Sequence, residues 1–478
     1  MVRPFRSLNL AELAPRFVVP QNKISVFTDP SDFYEHLCTR IPQAKSRIFL
    51  ASLYMGVNPE NKRIISLLDT ALDTNKDLKV DILMDALRST RESPHPCTAS
   101  MLAPLSAKYP TQVRISLYRT PKLPRVLQHV IPKRVIEGAG LQHMKLYGFD
   151  NEILLSGANL STEYYTQRQD RYISFDNKKL CDYYHEIFSA VSGLSLQLTA
   201  SKNDRGFNLH TNENESSFLK KLKALVAPYS QSSTNNLISD SNSNSNSNSN
   251  SNSDSGIQES SHESSSQANS QEMAEVYPVC QFTPLARGNE VQAIKQMAME
   301  AESSTCKSMF TAGYFNVYPE LADVLKRSND GTVVVASPQA NGFYKSRGIS
   351  SKIPRMYALS ARRFAMQAGG HVSMREWQRG VVNTPGGWSY HAKGFYLLQQ
   401  QALATYIGSS NFTYRSFKHD LECGAVVIVR NSESSLGEQL EREMSNIKKY
   451  TREVTSEQLC PDVTLRELML FKMLRKRL

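Results

Sequence analysis

Residues 141–161 read LQHMKLYGFDNEILLSGANLS, and residues 390–422 read YHAKGFYLLQQQALATYIGSSNFTYRSFKHDLE. Each stretch opens on His-x-Lys, runs through an apolar segment, turns, and returns to a group of small residues ending in Asn. In an extended strand residues i and i+2 share a face, so His143 and Lys145 point together, as do His391 and Lys393. From His143 to Asn159 is 16 residues and from His391 to Asn411 is 20, whereas Asn159 to Asp170 and Asn411 to Glu422 are both 11. The four extra residues fall in the turn QQQALA of the second stretch, so one hairpin motif with one enlarged loop accounts for both. A single His-x-Lys in a chain with 10 His is an ordinary strand surface. Two, each followed by an Asn and then an acid at the same offset, are a signal.

The duplication extends outward. RIFLASLYMG (47–56), LKVDILMD (78–85) and VRISLY (113–118) precede the first hairpin; SMFTAGYFN (308–316) and TVVVASP (332–338) precede the second. Short β-branched and aromatic runs alternate with helical patterns, which predicts an α/β protein built from two copies of one α/β/α sandwich, with the paired residues meeting between them. The segment 232–272 is dominated by Ser and Asn, cannot bury apolar surface, and reads as a disordered insert. The expected layout is a candidate targeting leader over 1–20 with three Arg and one acid, a first domain over 21–200, and a linker over 201–275. A second domain follows over 276–450 and a C-terminal basic amphipathic helix over 451–478.

The totals narrow the partner. Net charge is +11, which fits either a solvated basic surface or a polyanionic partner, nucleic acid or an acidic membrane surface. No apolar run approaches the ~20 residues that cross a bilayer. Seven scattered Cys with no CxxC pair argue against a disulfide framework or a zinc knuckle. No phosphate loop, dinucleotide fingerprint or metal-ligand cluster occurs, so no cofactor and no metal are expected.

Two imidazoles, two ammonium groups and two carboxamides converging on one point suit a phosphoryl group: one His attacks phosphorus, the other moves a proton, and Lys and Asn hold the oxygens. Asp170 and Glu422 are placed to fix the tautomer of the histidines from behind. Asp150 completes the first hairpin's motif and joins the catalytic set, although Leu398 stands in its place in the second copy and makes a turn role the stronger reading. A second anion site is sought in Arg88 and Arg91 of MDALRSTRE and in Arg375 and Arg379 of REWQRG, each of which an ion pair with a neighbouring acid would also explain. Tyr54 and Tyr314, at strand ends, line the pocket or pack the core.

The pattern H-x-K-x4-D followed by G-x-N resembles the phospholipase D superfamily, across nearly the whole chain outside the insert. The text around it, with RQDRY (168–172), FTAGYFN (310–316), ASPQANGFY (336–344) and REWQRGVVNTPGGWSYHAKG (375–394), is similar to a mitochondrial branch of that superfamily. That branch moves phosphatidyl from CDP-diacylglycerol to glycerol 3-phosphate, yielding phosphatidylglycerophosphate and CMP on the route to cardiolipin. The resemblance implies a phosphatidyl-histidine on His143 and acid–base work by His391. It also implies peripheral contact with an anionic membrane, on the mitochondrial inner membrane, and no nucleic acid. Apolar-basic segments at 121–136, 353–367 and 463–478 are the candidate lipid-facing surfaces, or else helices packed on their own core. The competing readings are a phospholipase D-type nuclease or phosphodiesterase, a phosphatidylserine synthase, and a catalytically dead lipid-binding scaffold.

Overall fold

The computed structural model describes residues 5, 8–120, 140–211, 220, 223–224, 273–283, 285–286 and 288–475. The Ser/Asn insert and the apolar-basic segment 121–136 lie outside the described residues.

Two nine-stranded mixed sheets carry the chain. In the first, seven strands run in the spatial order Val113–Tyr118, Lys79–Asp85, Arg47–Ala51, Leu146–Phe149, Glu152–Ser156, Tyr172–Asp176, Ile24–Phe27. In the second the order is Val372–Trp377, Asp330–Ala336, Cys306–Ala312, Lys393–Gln399, Ala402–Gly408, Glu422–Val429, Met273–Gln281. The two series match strand for strand, each with three parallel strands followed by an antiparallel meander. The duplication read from the hairpins is therefore a duplication of the whole topology.

The central strands of each sheet are buried on both faces, and several of their sequences are apolar runs rather than alternating ones. Glu422–Val429, for instance, is buried at every position. Outer helices cover each sheet and close two cores, one around Phe33, Leu68 and Leu102, the other around Met297, Leu321 and Phe395. Between the sheets lie the helices Lys178–Gly193 and Ser435–Lys449, packed in a third core to which both copies contribute. There Arg171, 0% exposed, reaches from the first copy to Glu443 of the second through two hydrogen bonds of 2.9 and 2.8 Å, while its guanidinium stacks 4.2 Å from the Tyr396 ring. Gly394 makes room for it, because a Cβ there would lie 2.3 Å from the Arg171 Nη1.

The termini differ from their expected form. Phe17–Pro20, inside the candidate leader, is an edge strand of the second sheet, paired antiparallel with Met273–Gln281, and Leu10 and Ala14 before it are buried in the second core. The region after 450 is not one helix: Thr451–Glu453 pairs with Val372–Trp377, and the terminal helix proper is Leu465–Leu474. Most apolar residues of 353–367 form the inner face of the helix Ile353–Ala365, where Met356, Leu359, Ala361 and Phe364 are buried; Met366, just past its end, is exposed.

Candidate active site

Backbone pairing across the two copies builds the site. Gln142 bridges Leu421 in parallel, with His143 N donating to Leu421 O at 2.9 Å and Leu421 N to Leu141 O at 2.8 Å. On the other side Ser389–Tyr390 pairs with Arg168–Gln169, and His391 N donates to Gln169 O at 2.8 Å. Each His-x-Lys segment is thus laid against the strand that carries the other copy's carboxylate.

The carboxylates are exchanged accordingly. His143 Nδ1 lies 3.0 and 2.9 Å from the two Glu422 oxygens, and His391 Nδ1 lies 2.7 Å from Asp170 Oδ2. With Nδ1 engaged by a carboxylate in both rings, Nε2 is the nitrogen left for chemistry, and that of His391 lies 3.3 Å from Lys393 Nζ and 3.4 Å from the Tyr164 hydroxyl. The acids were expected behind the histidines; that each serves the opposite copy's imidazole is settled only by the tertiary fold.

The lysines and amides close the set. Lys145 Nζ donates to His143 O at 2.7 Å; Lys393 Nζ donates to His391 O at 2.9 Å and lies 3.4 Å from Asp170 Oδ2. Asn159 is anchored by Tyr164, to whose hydroxyl its Nδ2 donates at 3.1 Å, and that hydroxyl is 3.4 Å from His391 Nε2. Asn411 holds its place through its backbone N–H to Ser416 Oγ at 3.2 Å, and its Oδ1 has no hydrogen-bond partner among the described residues. Gly157 is needed for packing, since a Cβ there would sit 2.4 Å from Asp170 Oδ1 and 2.8 Å from Lys393 Nζ. The matching position in the second copy is Ser409, whose hydroxyl donates to Glu422 Oε2 at 2.5 Å.

Burial sets the protonation pattern. Both imidazoles are held well below the ordinary histidine range, by burial first and then by the adjacent Lys145 or Lys393. Burial also lowers Lys145 to about 7 and Lys393 to about 8. The two acids diverge: burial lifts Glu422 to about 7, whereas at Asp170 the same burial is outweighed by Lys393 and His391, which hold it below the usual carboxylate range. The result is a pair of neutral imidazoles, suited to nucleophilic attack by nitrogen, beside ammonium groups that can meet an anionic phosphorus centre.

Of the other residues expected at the site, Arg88 is drawn in. Its guanidinium lies 4.8 Å over the Tyr54 ring, and its charge acts on Tyr314. Tyr314 stands edge-on to His391 at 5.0 Å, so it lines the pocket. Arg91 is ion-paired with its neighbour Glu92 at 2.9 Å. Three expectations are corrected. Asp150 sits at the far turn of the hairpin with φ of 51°, accepting from Lys45 N, Ser46 N and Arg47 N, and is a structural turn residue. Arg375 bonds Thr451 Oγ1 and faces Glu453 in the edge-strand pairing, and Arg379 is sandwiched between the rings of Trp388 (3.8 Å) and Tyr450 (4.8 Å); both are structural.

The sequence reading missed Arg168, Tyr164 and Asp420. Arg168 lies 4.5 Å over the Tyr164 ring, donates to Ser389 Oγ at 2.9 Å, and acts electrostatically on His391. Its signal was present, because Arg168 stands two residues before Asp170, the spacing that in an extended segment puts two side chains on one side. Asp420 accepts from Leu141 N at 2.9 Å across the copy boundary, which nothing in the local sequence announces.

Comparison with known proteins bears on the family and the fold. Residues 37–192 match the family described as cardiolipin synthase, PLD-like domain. A CDP-diacylglycerol--glycerol-3-phosphate 3-phosphatidyltransferase of Saccharomyces pastorianus is 37% identical over 471 residues, covering 92% of this chain and 84% of that one. The Homo sapiens protein of that name, designated mitochondrial, is 32% identical over 460 residues, covering 92% and 79%. Among solved structures, phosphatidylserine synthase of Haemophilus influenzae Rd KW20 superposes over 99% of both chains with a TM-score of 0.68 at 16% identity, a likeness of fold.

Proposed function

The chain belongs to the CDP-diacylglycerol--glycerol-3-phosphate 3-phosphatidyltransferase family, and on that premise we propose how its residues carry the transfer of phosphatidyl from CDP-diacylglycerol to glycerol 3-phosphate. His143 Nε2 attacks the phosphorus that bears the diacylglycerol. The bond from that phosphorus to the CMP oxygen breaks, and CMP leaves as a phosphate monoester that needs little protonation. A phosphatidyl-histidine remains. The terminal hydroxyl of glycerol 3-phosphate then attacks the same phosphorus while His391 takes its proton, and the phosphorus–nitrogen bond breaks to free His143.

The difference between the two acids supports this division. Asp170, held ionised, stabilises the imidazolium that forms on His391 when it takes a proton. Glu422, raised to about 7, shares a proton with His143 and leaves that ring neutral and nucleophilic. Lys145, Lys393, Asn159 and Asn411 neutralise and orient the equatorial oxygens. Arg88 and Arg168, beside Tyr54, Tyr314 and Tyr164, are the cations we assign to the second phosphate, that of the acceptor.

The observation that carries the reading is the reciprocal pairing of each histidine with the other copy's carboxylate, which makes one site from two half-sites. A phosphatidylserine synthase activity draws no support from the superposition, because at 16% identity the likeness concerns fold alone. The mitochondrial designation of the mammalian relatives supports placement in that organelle. No helix among the described residues is long and apolar enough to cross a membrane, and we assign the protein peripheral contact with the inner membrane. The test is CMP release from CDP-diacylglycerol by wild type, His143→Ala and His391→Ala, with and without glycerol 3-phosphate. Release that depends on glycerol 3-phosphate and vanishes in both variants supports the reading; release independent of it, or cleavage of nucleic acid alone, overturns it.

A further inference from the structure

The terminal helix Leu465–Leu474 is held to the second copy by one side only. Phe471 is buried with Met356, Leu359 and Cys460; Glu467 is ion-paired with Arg355, and Asn316 Nδ2 donates to Arg475 O at 2.6 Å. The opposite side carries Leu465 (71% exposed), Leu468 (41%), Met469 (65%) and Met473 (72%). Eight large hydrophobic side chains are exposed among the described residues, and four of them are on these ten residues. At 100° per residue the four fall within one arc of about 140°. Scatter over the surface would not place half of the exposed apolar side chains on one helix.

Beneath this helix lies a cavity of about 370 Å³, floored by Phe315, Phe364 and Phe471, with Lys326, Arg363 and Arg475 among its lining. Lys326 is engaged with Asp323, but Arg363 and Arg475 are exposed and in no ion pair with an acid among the described residues. Arg363 stacks 5.7 Å from the Phe471 ring, so one guanidinium lies at the seam between helix and cavity. Apolar side chains facing out, with unpaired cations at their margin, fit an anionic lipid surface rather than a protein core. Lys472 falls inside the apolar arc, where its four-carbon stem can lie along lipid while the ammonium reaches headgroup level. The helix Ile353–Ala365 beside the cavity also supports the site, since its Tyr357 stacks on Tyr314 at 5.3 Å, and Tyr314 faces His391.

We propose that Leu465–Leu474 lies in the interface of an anionic phospholipid leaflet, with Leu465, Leu468, Met469 and Met473 among the acyl chains and Arg363 and Arg475 on the headgroup phosphates. The inference rests on the phosphatidyltransferase reading for its purpose: it holds an enzyme whose substrate is a lipid at the leaflet where that substrate resides. The full chain is floated with vesicles of phosphatidylcholine alone and of phosphatidylcholine with phosphatidylserine. Two variants accompany it, Leu465→Asp/Met469→Asp/Met473→Asp and Arg363→Glu/Arg475→Glu. Binding at least about tenfold tighter to the anionic vesicles is expected, weakened at least about tenfold in each variant and by salt in the wild type. Both variants should keep the wild-type melting temperature and the wild-type rate of CMP release from detergent-dispersed CDP-diacylglycerol. Vesicle binding that both variants retain overturns the proposal. So does a triple-Asp variant that only converts a dimer to a monomer, which would make a second copy the occupant of this face. Wild type that binds as expected but releases no CMP in detergent supports the docking face and overturns the reaction instead.

Discussion

Each imidazole at the site depends on an acid that the other half of the chain supplies. His143→Ala and His391→Ala should each remove transfer by at least about 10³-fold, since covalent attack and proton transfer are separate functions of the two rings. Asp170→Asn should lower kcat by about 10²-fold or more with little change in KM, because the amide cannot stabilise the imidazolium on His391. Activity should be bell-shaped in pH. On the acid side kcat/KM falls only below the ordinary histidine range, because burial and the neighbouring lysines depress both imidazoles and they protonate late. On the alkaline side it falls as Lys145 and Lys393 lose protons near 7 and 8, which removes the charge that binds phosphate. A profile of kcat/KM between pH 4 and 11 checks both limbs; an alkaline limb above 10 would contradict the lowered lysines. Asp150 behaves differently. Asp150→Ala should cost about 1 kcal/mol of stability by removing the acceptor of the Lys45, Ser46 and Arg47 N–H groups, and leave kcat intact. Paired denaturant melts and initial rates separate the two effects. At this scale His, Lys and Asn were legible because spacings recur, whereas Arg375 was misread because a basic residue beside an acid looks alike in a phosphate site and in an edge ladder, and Arg379 because its ring partner Tyr450 is far away in the chain.

At the scale of elements, the strands reveal themselves as apolar runs and the hairpins as spaced motifs, but partners across the sheet do not. The strand Phe17–Pro20 shows this. Its sequence, FVVP after an Arg-bearing start, reads equally as the end of a leader, yet it completes the second sheet beside Met273–Gln281. Arg16 Nε also donates to Glu275 Oε2 at 2.9 Å. Removing residues 1–20 should therefore lower the melting temperature and expose the edge of Met273–Gln281 to aggregation. Light scattering during a thermal ramp, full chain against truncation, reads the outcome; an unchanged melt would mean that the strand adds nothing. A terminal helix was expected, but which of its faces is covered depends on Phe471 finding Met356 and Leu359, residues more than a hundred positions away.

The whole molecule is held as a pair by buried polar contacts as well as by apolar packing. Arg171→Met should destabilise by about 3–5 kcal/mol, since it strands Glu443 in a buried setting. Arg171→Met/Glu443→Met should recover part of that loss, and chemical denaturation of the three proteins tests it; a double variant as unstable as the single one would show that packing, not the uncompensated charge, sets the cost. The sequence by itself determined that there are two copies of one α/β unit, that each brings a His, a Lys, an Asn and an acid, and that these suit phosphoryl transfer. Those features are local, fixed by the two-residue period of a strand and by constant offsets along the chain. Only the tertiary structure decided which acid serves which histidine, that Arg168 and Tyr164 complete the pocket, and that the first residues finish the second sheet. Those facts come from two half-sites meeting across an interface, where residues far apart in the chain become neighbours and no spacing records the contact.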